Sequence, residues 1–297
     1  MLGGANGIGQ CVVRSLYTLG AYVVFGDIDE VACQSLVNEL TSNKSSRGRI
    51  AFRRTDVRLY DDTLALFQVA YETFGKVDHA FAIAGVTEIP NQNWFDEKLD
   101  LKSVTQQPST VLVDVNLTGV LYFTRIASVY LRQGDEKGEN KKSICLMGSV
   151  ASFKEQAGLF VYQPTKHGVL GLVRSSRKYF QECLGIRLNV VCPSMTKTRM
   201  ATPVLKLWED HGVAGNDPEV IADFVLTLAS VPYSPYVGSL SGLAIYVEAN
   251  KGWEIEKDLD KSDALWIGEE MSKNALKIEQ ALGNGGSWVN PKTNGLS

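Results

Sequence analysis

The stretch Gly3-Gly4-Ala5-Asn6-Gly7-Ile8-Gly9 runs directly into a segment with the apolar spacing of a helix. Glycines let the backbone turn tightly and approach a phosphate, and a helix N-terminus adds free N–H groups and the positive end of a dipole. The spacing G-x-x-x-G-x-G differs from the G-x-G-x-x-G dinucleotide fingerprint, and it differs from the phosphate loop G-x-x-x-x-G-K-S/T because no lysine follows. The stretch therefore indicates a nucleotide site, with an ordinary turn as the alternative.

An apolar, β-rich run at 21–25 follows this helix and ends in Gly26-Asp27. An acid at the end of the second strand of such a unit hydrogen-bonds the adenosine ribose. Asp27 would repel a 2′-phosphate, and no Arg or Lys lies in the glycine stretch or directly after Asp27. These features favour NAD over NADP, and a turn or helix-capping role is the alternative for Asp27.

Strand-like and helix-like segments alternate along most of the chain. We predict helices at 7–20, 29–41, 60–75, 107–132, 161–184 and 217–230. We predict strands at 21–27, 49–54, 78–84, 143–148, 186–192 and 242–247. This alternation is typical of an α/β fold with a doubly wound parallel sheet, whose ligands bind beyond the carboxyl ends of the strands. We expect one Rossmann-like, three-layer αβα domain at 1–250 and a C-terminal extension at 251–297.

Tyr162 and Lys166 lie four residues apart on a predicted helix, so their side chains share one face. A free phenol titrates near ~10, and a neighbouring ammonium lowers that pKa. Ser149 follows an apolar, strand-like run and offers its hydroxyl to a substrate oxygen. The three groups together suit proton exchange at a carbinol or carbonyl oxygen. A Tyr–Lys pair at this spacing, taken alone, is also common as a surface-facing helical pair.

These motifs occur in the order in which the classical short-chain dehydrogenase/reductase family carries them, and the sequence resembles that family over roughly residues 1–250. The family's TGxxxGxG cofactor motif matches the glycine stretch, with Leu2 in place of Thr. The apolar, Trp-containing C-terminal stretch is similar to fungal members related to 15-hydroxyprostaglandin dehydrogenase, many of which belong to natural-product pathways. The catalytic residues that the resemblance implies are Ser149, Tyr162, Lys166 and Asn116.

The resemblance also implies what each of these residues does. Ser149 holds the substrate oxygen, and Tyr162 exchanges its proton. Lys166 lowers the pKa of Tyr162 and binds the nicotinamide ribose, while Asn116 holds a helix kink and a water that relays protons.

Further cofactor contacts follow from the same resemblance. Asp56-Val57 match the step whose acid contacts the adenine, and the segment 193–198 matches the one beside the nicotinamide. We expect NAD as the cofactor, with NADP less favoured. The cofactor-binding residues implied are Gly3, Asn6, Gly7, Ile8, Gly9, Asp27, Asp56, Val57, Ala84, Gly85, Tyr162, Lys166, Pro193, Thr196 and Thr198.

The sequence departs from the family pattern at two places. The family's N-N-A-G appears as Ala82-Ile83-Ala84-Gly85, so both asparagines that help to hold the strand ends around the cofactor are lost. The site must then be supported otherwise or be looser. Family members also carry a central strand before the glycine stretch, whereas only Met1 and Leu2 precede Gly3 here. The neighbouring strands would lose ladder partners, and we expect a truncated version of a longer protein.

The composition excludes several classes of function. The net charge is −3, so there is no basic footprint for a nucleic acid. No apolar run approaches the roughly 18 residues that span a bilayer, and no signal-peptide pattern opens the chain. We therefore expect a cytoplasmic protein without a membrane span. The five cysteines and three histidines have no metal-ligand spacing, so we expect no metal site.

Two segments stand outside the alternation. Residues 196–216 occupy the place of the family's substrate lid, and their apolar side chains favour an apolar substrate, with simple packing as the alternative. The tail from Trp253 onward is expected to pack over the substrate pocket or a partner subunit. Its last residues, 283–297, are expected to be mobile.

These observations predict an NAD(P)-dependent oxidoreductase that interconverts a secondary alcohol and a ketone on an apolar small molecule, in fungal secondary metabolism. The resemblance implies a homodimer or homotetramer built on helices 107–132 and 161–184. One alternative is a nucleotide-binding protein without redox turnover. Another is an enzyme that uses the same tyrosine for a dehydration or cyclisation.

Overall fold

Residues 1–42, 48–88, 94–133, 142–234 and 238–282 are described by the computed structural model. The helices are α1 (Gly7–Thr18), α2 (Glu30–Ser42), α3 (Tyr60–Phe74), α4 (Val111–Val113), α5 (Gly119–Tyr130), α6 (Tyr162–Leu184), α7 (Thr202–Asp210), α8 (Pro218–Ser230), α9 (Glu256–Trp266) and α10 (Glu269–Leu282). The strands are β1 (Tyr22–Asp27), β2 (Arg49–Arg54), β3 (His79–Ala82), β4 (Lys142–Met147), β5 (Ile186–Pro193), β6 (Tyr233–Ser234), β7 (Gly238–Ser239), β8 (Ala244–Glu248) and β9 (Lys251–Glu254).

The strands form a mostly parallel sheet. β3, β4, β5 and β8 are parallel neighbours in that order, and β9 adds an antiparallel edge. β1 and β2 form a parallel pair of their own. Leu2 joins the two parts, because it makes parallel bridges to Gly26 of β1 and to Ala82 of β3. The predicted Rossmann-like α/β fold is confirmed.

Helices cover both faces of the sheet, so each central strand is buried on both sides. In β4, Ile144 and Leu146 belong to an apolar cluster under α3, α5 and α6, whereas Cys145 and Met147 belong to a cluster under α1 and α8. This is the alternation expected of a strand, whose successive side chains point to opposite faces. The two clusters are the cores on either side of the sheet. The candidate site lies at the carboxyl edge of the same sheet.

The first residues occupy the gap between β1 and β3. The Met1 amine donates to the Val24 carbonyl at 2.9 Å, and the Leu2 N–H donates to the Phe81 carbonyl at 2.8 Å. Beside Met1 lies a cavity of about 650 Å³, lined by residues of α1, β1, α3 and β3. Burial lowers the pKa of the Met1 amine to about 5. The gap that the sequence predicted between the two strands is therefore filled only at its carboxyl end.

The predicted elements outside the long helix agree with the structure to within two residues at each end. The helix predicted at 107–132 begins instead at Val111 and contains a π-helical turn, Asp114–Thr118, between α4 and α5. β9 continues the sheet past residue 250, and α9 and α10 follow it. The expected mobile end, 283–297, lies outside the described residues.

One helical stretch passes a membrane-span test by length and composition. Among the described ranges only Val111–Tyr130 does so, with 20 residues and a mean hydropathy of 1.2. The sequence reading had found no such stretch. Buried positions make up 44% of the tested window, and α5 packs against α3, α6, β3 and β4. Its apolar character is therefore explained by its place in the core.

Candidate active site

Helix α6 places Tyr162 and Lys166 on one inward face. Tyr162 is its first residue, and Lys166 follows one turn later with only 3% of its surface exposed. The Lys166 Nζ donates to the Met147 carbonyl at the end of β4 (3.0 Å) and lies 5.5 Å from the centroid of the Tyr162 ring. The alternative of a surface-facing pair is thus excluded for these two residues.

Ser149 stands two residues beyond β4 and is held by its own turn. Its Oγ accepts from the Ala151 N–H at 3.2 Å, and its N–H donates to the Ser152 Oγ at 3.1 Å. The Ser149 side chain also lies close enough to the Tyr162 hydroxyl to act on its pKa as a hydrogen-bond partner. The two hydroxyl groups that the sequence assigned to catalysis are therefore together in the structure.

Burial has the largest effect on the pKa values of Tyr162 and Lys166. It raises the pKa of Tyr162, and the hydrogen bond from Ser149 acts in the opposite direction. Burial also lowers the pKa of Lys166 to about 8. The sequence predicted that Lys166 would lower the pKa of Tyr162. The net shift of this pKa is upward, because the removal of the phenolate from water outweighs the lowering effect of Ser149.

Asn116 lies in the π-helical turn and is fully buried. Its Oδ1 accepts from the Val86 N–H at 2.9 Å, and its Nδ2 donates to the Val86 carbonyl at 2.7 Å. The Nδ2 also lies 3.4 Å from the Thr165 Oγ1. The predicted helix irregularity is present, and its asparagine fastens the loop after β3 to helix α6.

The glycine stretch forms a tight cradle at the N-terminus of α1. Gly3 has φ +77°, and a Cβ there would lie 2.5 Å from the Ala84 nitrogen. A Cβ on Gly9 would lie 1.7 Å from the Gly3 carbonyl oxygen. Asn6 precedes the helix without a side-chain cap, which leaves the first-turn N–H groups for an anion. The residues present therefore fit the pyrophosphate of a dinucleotide.

Asp27 lies beside this cradle. Its Oδ2 accepts from the Ala5 N–H at 3.0 Å, and its Oδ1 accepts from the Asp29 N–H at 3.1 Å. The turn role that the sequence left open is thus present. Each carboxylate oxygen has a further lone pair, so a ribose hydroxyl fits the same group.

Asp56 is already paired with a residue that the sequence analysis missed. Its carboxylate accepts from the Arg58 Nε at 2.9 and 3.1 Å and from Nη2 at 2.6 Å, which lowers the pKa of Asp56. The Thr55 N–H donates to the Asp27 carbonyl at 2.9 Å, so this loop adjoins Asp27. Arg58 thus brings a cation to the adenosine end of the site; its position two residues after the acid was the only signal in the sequence.

The remaining predicted cofactor residues divide into two groups. Gly85, Ala84, Pro193, Thr196 and Thr198 lie at the carboxyl ends of β3 and β5; a Cβ on Gly85 would be 3.6 Å from the Lys166 Nζ, and one on Gly7 would be 3.4 Å from Thr198. The side chains of Ile8 and Val57 instead pack against the apolar clusters. Ile8 belongs to the first turn of α1, and Val57 belongs to the loop after β2.

Within the described ranges, no three His, Cys, Asp or Glu side chains are grouped so that they could hold a metal ion. The polar groups of the site are the hydroxyls, the amine and the backbone N–H groups described above.

Known proteins with similar sequences place this site in a family. A family model described as short chain dehydrogenase matches residues 1–207. The chain belongs to the short-chain dehydrogenase family. It is an oxidoreductase that acts on CH–OH groups with a nicotinamide cofactor.

Individual relatives are similar over most of their length. A short-chain dehydrogenase/reductase, ascJ, of Acremonium egyptiacum is 29% identical over 86% of this chain and 80% of its own. A 5′-hydroxyaverantin dehydrogenase of Dothistroma septosporum is 24% identical over 91% of this chain and 89% of its own. Among solved structures, a 3-ketoacyl-(acyl-carrier-protein) reductase of Brucella melitensis complexed with NADH superposes with a TM-score of 0.67. That structure is 22% identical and covers 83% of this chain and 94% of its own.

Proposed function

We propose that this dehydrogenase interconverts a secondary alcohol and a ketone on an apolar small molecule, with NAD in preference to NADP. The observation that carries the proposal is the buried Lys166, whose Nζ lies 5.5 Å from the centroid of the Tyr162 ring, with Ser149 acting on the pKa of the Tyr162 hydroxyl. Two hydroxyl groups there face one oxygen atom of a substrate. Such an arrangement serves proton exchange at that oxygen.

The roles of the side chains follow from their positions. Ser149 holds the substrate oxygen, and Tyr162 takes its proton during oxidation and returns it during reduction. The raised pKa of Tyr162 keeps its hydroxyl protonated at neutral pH, so the proton is in place for reduction and has to leave before oxidation. Lys166, 5.5 Å from the tyrosine ring, supplies a positive charge that favours the phenolate when the proton leaves. The nicotinamide, when bound, supplies the hydride chemistry.

The segment after β5 supports an apolar substrate. Helix α7 and its approach carry Met200, Val204 and Leu207, each between 43% and 54% exposed. Exposed apolar side chains near a site form a surface that an apolar ligand can bind. The relative named 5′-hydroxyaverantin dehydrogenase comes from a fungus, which agrees with a role in fungal secondary metabolism. That the protein acts in the cytoplasm is part of the same proposal.

The proposed preference for NAD rests on Asp27, whereas Arg58 would favour NADP. The carboxylate beside the glycine cradle disfavours a 2′-phosphate, whereas a guanidinium in the adjoining loop favours one. We expect tryptophan fluorescence titrations to give a lower Kd for NADH than for NADPH. Replacing Asp27 with Ala should bring the Kd values for NADH and NADPH closer together. A lower Kd for NADPH in the unaltered chain would assign the choice to Arg58.

We also propose a homodimer or homotetramer formed through α5 and α6. Leu121 and Val129 on α5 and Tyr179 on α6 are 44% to 47% exposed. Light scattering of the purified chain should give a mass two or four times that of the monomer. A monomer at micromolar concentration would refute this part of the proposal.

Replacing Tyr162 with Phe tests the catalytic assignment. The variant should lose turnover of secondary alcohols while its Kd for NADH stays within about twofold, because the ring remains and only the proton-carrying oxygen is removed. Tyr179→Phe, on the exposed side of the same helix, is the matched control and should turn over normally. Activity of Tyr162→Phe at the wild-type rate would show that another group carries the proton. Cofactor binding without turnover in the unaltered chain would favour a nucleotide-binding protein instead.

A further inference from the structure

We propose that Glu88 is a positioning residue that fixes the first turn of α6 and with it the hydroxyl of Tyr162. This inference rests on the proposed function of Tyr162. Glu88 lies in the loop after β3, whereas Tyr162 lies 74 residues further along the chain. The contact between them therefore exists only in the folded protein.

The beginning of α6 has no cap of its own. The residue before the helix is Val161, whose side chain makes no capping hydrogen bond, and the first turn carries no acid. Glu88 Oε1 accepts from the Val161 N–H at 2.7 Å and from the Tyr162 N–H at 2.9 Å. The carboxylate thus satisfies two backbone donors that a helix leaves unpaired, with a charge that suits the helix dipole.

Glu88 also closes a ring of hydrogen bonds around the catalytic turn. The Asn116 side chain forms hydrogen bonds with both the N–H and the carbonyl of Val86, two residues before Glu88. The Thr165 Oγ1 donates to the Tyr162 carbonyl at 2.6 Å and lies 3.4 Å from the Asn116 Nδ2. The ring runs from Asn116 through Val86 and Glu88 to Tyr162 and back through Thr165. The tyrosine is held at its N–H by Glu88 and at its carbonyl by Thr165.

This ring supplies the support whose loss the sequence indicated. Ala82 lies in the ladder of β3, and Ile83 packs against the apolar cluster under α1 and α8, so neither side chain can hold the site by hydrogen bonds. Glu88, a few residues further on, provides the polar link from this loop to the catalytic helix. We infer that the site is supported in a different way, and that it is not a looser one.

The expected effect follows from geometry. A misplacement of about 1 Å in a catalytic group costs roughly 100-fold in rate. Glu88→Ala removes the acceptor and should lower kcat for alcohol oxidation between about tenfold and 100-fold. The cofactor cradle lies on α1 and is not touched by Glu88, so the Kd for NADH should stay within about twofold. Glu88→Gln keeps a side-chain oxygen at the same reach and should restore kcat to within about threefold.

The experiment compares kcat, the Kd for NADH and amide hydrogen exchange in the unaltered chain, Glu88→Ala, Glu88→Gln and the control Glu155→Ala. Glu155 is an exposed acid in the loop that precedes α6. We expect faster exchange of the Val161 and Tyr162 amides only in Glu88→Ala. The proposal is overturned if Glu88→Ala keeps the wild-type kcat and exchange, if Glu88→Gln is as impaired as Glu88→Ala, or if the Kd for NADH rises in proportion to the loss of kcat.

The exchange measurement separates this proposal from the proposed function. If the unaltered chain binds NADH but oxidises no alcohol, the function fails while the amides of Val161 and Tyr162 still report on Glu88. Unchanged exchange in Glu88→Ala then overturns the positioning role independently. Faster exchange in that variant and protection in Glu88→Gln support the structural half of the role.

Discussion

Replacing Lys166 with Met should stabilise the fold while it abolishes turnover. Burial lowers the pKa of this amine from 10.5 to about 8. The unfolded chain keeps the proton up to pH 10.5 and the folded chain only up to about pH 8. Stability therefore falls as the pH drops from 10.5 to about 8, and below that the full cost of about 3 kcal/mol is present.

The net gain in the variant is smaller than this cost. Methionine has a similar length and no charge, but it leaves the Met147 carbonyl without the 3.0 Å hydrogen bond from Nζ. Losing that bond costs about 1 kcal/mol. The variant should therefore be about 2 kcal/mol more stable at pH 7, which for a chain of this length corresponds to a rise in Tm of about 3 °C.

Urea unfolding at several values between pH 7 and pH 10 measures the difference in the free energy of unfolding. Lys142→Met is the matched control, because the Lys142 Nζ is also buried but lies 2.9 Å from a carboxylate oxygen of Asp78. That variant breaks an ion pair and should lose stability at pH 7. The reasoning is refuted if Lys166→Met is less stable than the unaltered chain at pH 7, or if its advantage does not shrink as the pH rises.

Three further outcomes follow from the structure. Gly9→Ala should lose NADH binding by more than tenfold in fluorescence titration, since the new Cβ would lie 1.7 Å from a carbonyl oxygen of the cradle; binding at the wild-type Kd would contradict this. Glu256→Ala should cost about 2 kcal/mol in urea unfolding, because Glu256 joins Arg174 at 2.8 Å and Arg177 at 3.1 Å and is itself buried; an unchanged midpoint would speak against that clamp. An added segment of about four β-branched apolar residues before Met1 should raise Tm by a few degrees in calorimetry, as it fills the cavity beside β1 and β3 and removes a buried amine; no change would show that the cavity does not accept a strand.

Local pattern was enough to predict the sheet and most of its helices. The apolar runs in the carboxyl-terminal halves of β4 and β5, at 144–147 and 190–192, are continuous because both faces of these strands are buried, and that continuity is visible in the sequence. Tyr162 and Lys166 are four residues apart, and this spacing predicted a shared helix face because positions i and i+4 of a helix are neighbours. The relation of the motifs to the ends of the strands then followed from the topology of a parallel sheet.

Contacts between distant segments could not be predicted in this way. Glu88 meets Val161 across 73 residues, and no local pattern marks it as the cap of another helix. The direction of the Tyr162 pKa depends on burial, which the sequence does not give, so the influence of Lys166 was overestimated. The antiparallel β9 was missed because tertiary packing decides it, and the helix irregularity at Asp114–Thr118 was expected only from the family resemblance.

The central claim is that this site moves a hydride and a proton together between an alcohol and a ketone. The most direct measurement incubates the purified chain with NAD⁺ and apolar secondary alcohols, follows NADH by its absorbance and identifies the product by mass spectrometry. We predict one NADH for each ketone formed, with a product that has lost two hydrogen atoms, and no reaction in Tyr162→Phe. A product that has lost water or has cyclised, with no NADH formed, would contradict the account.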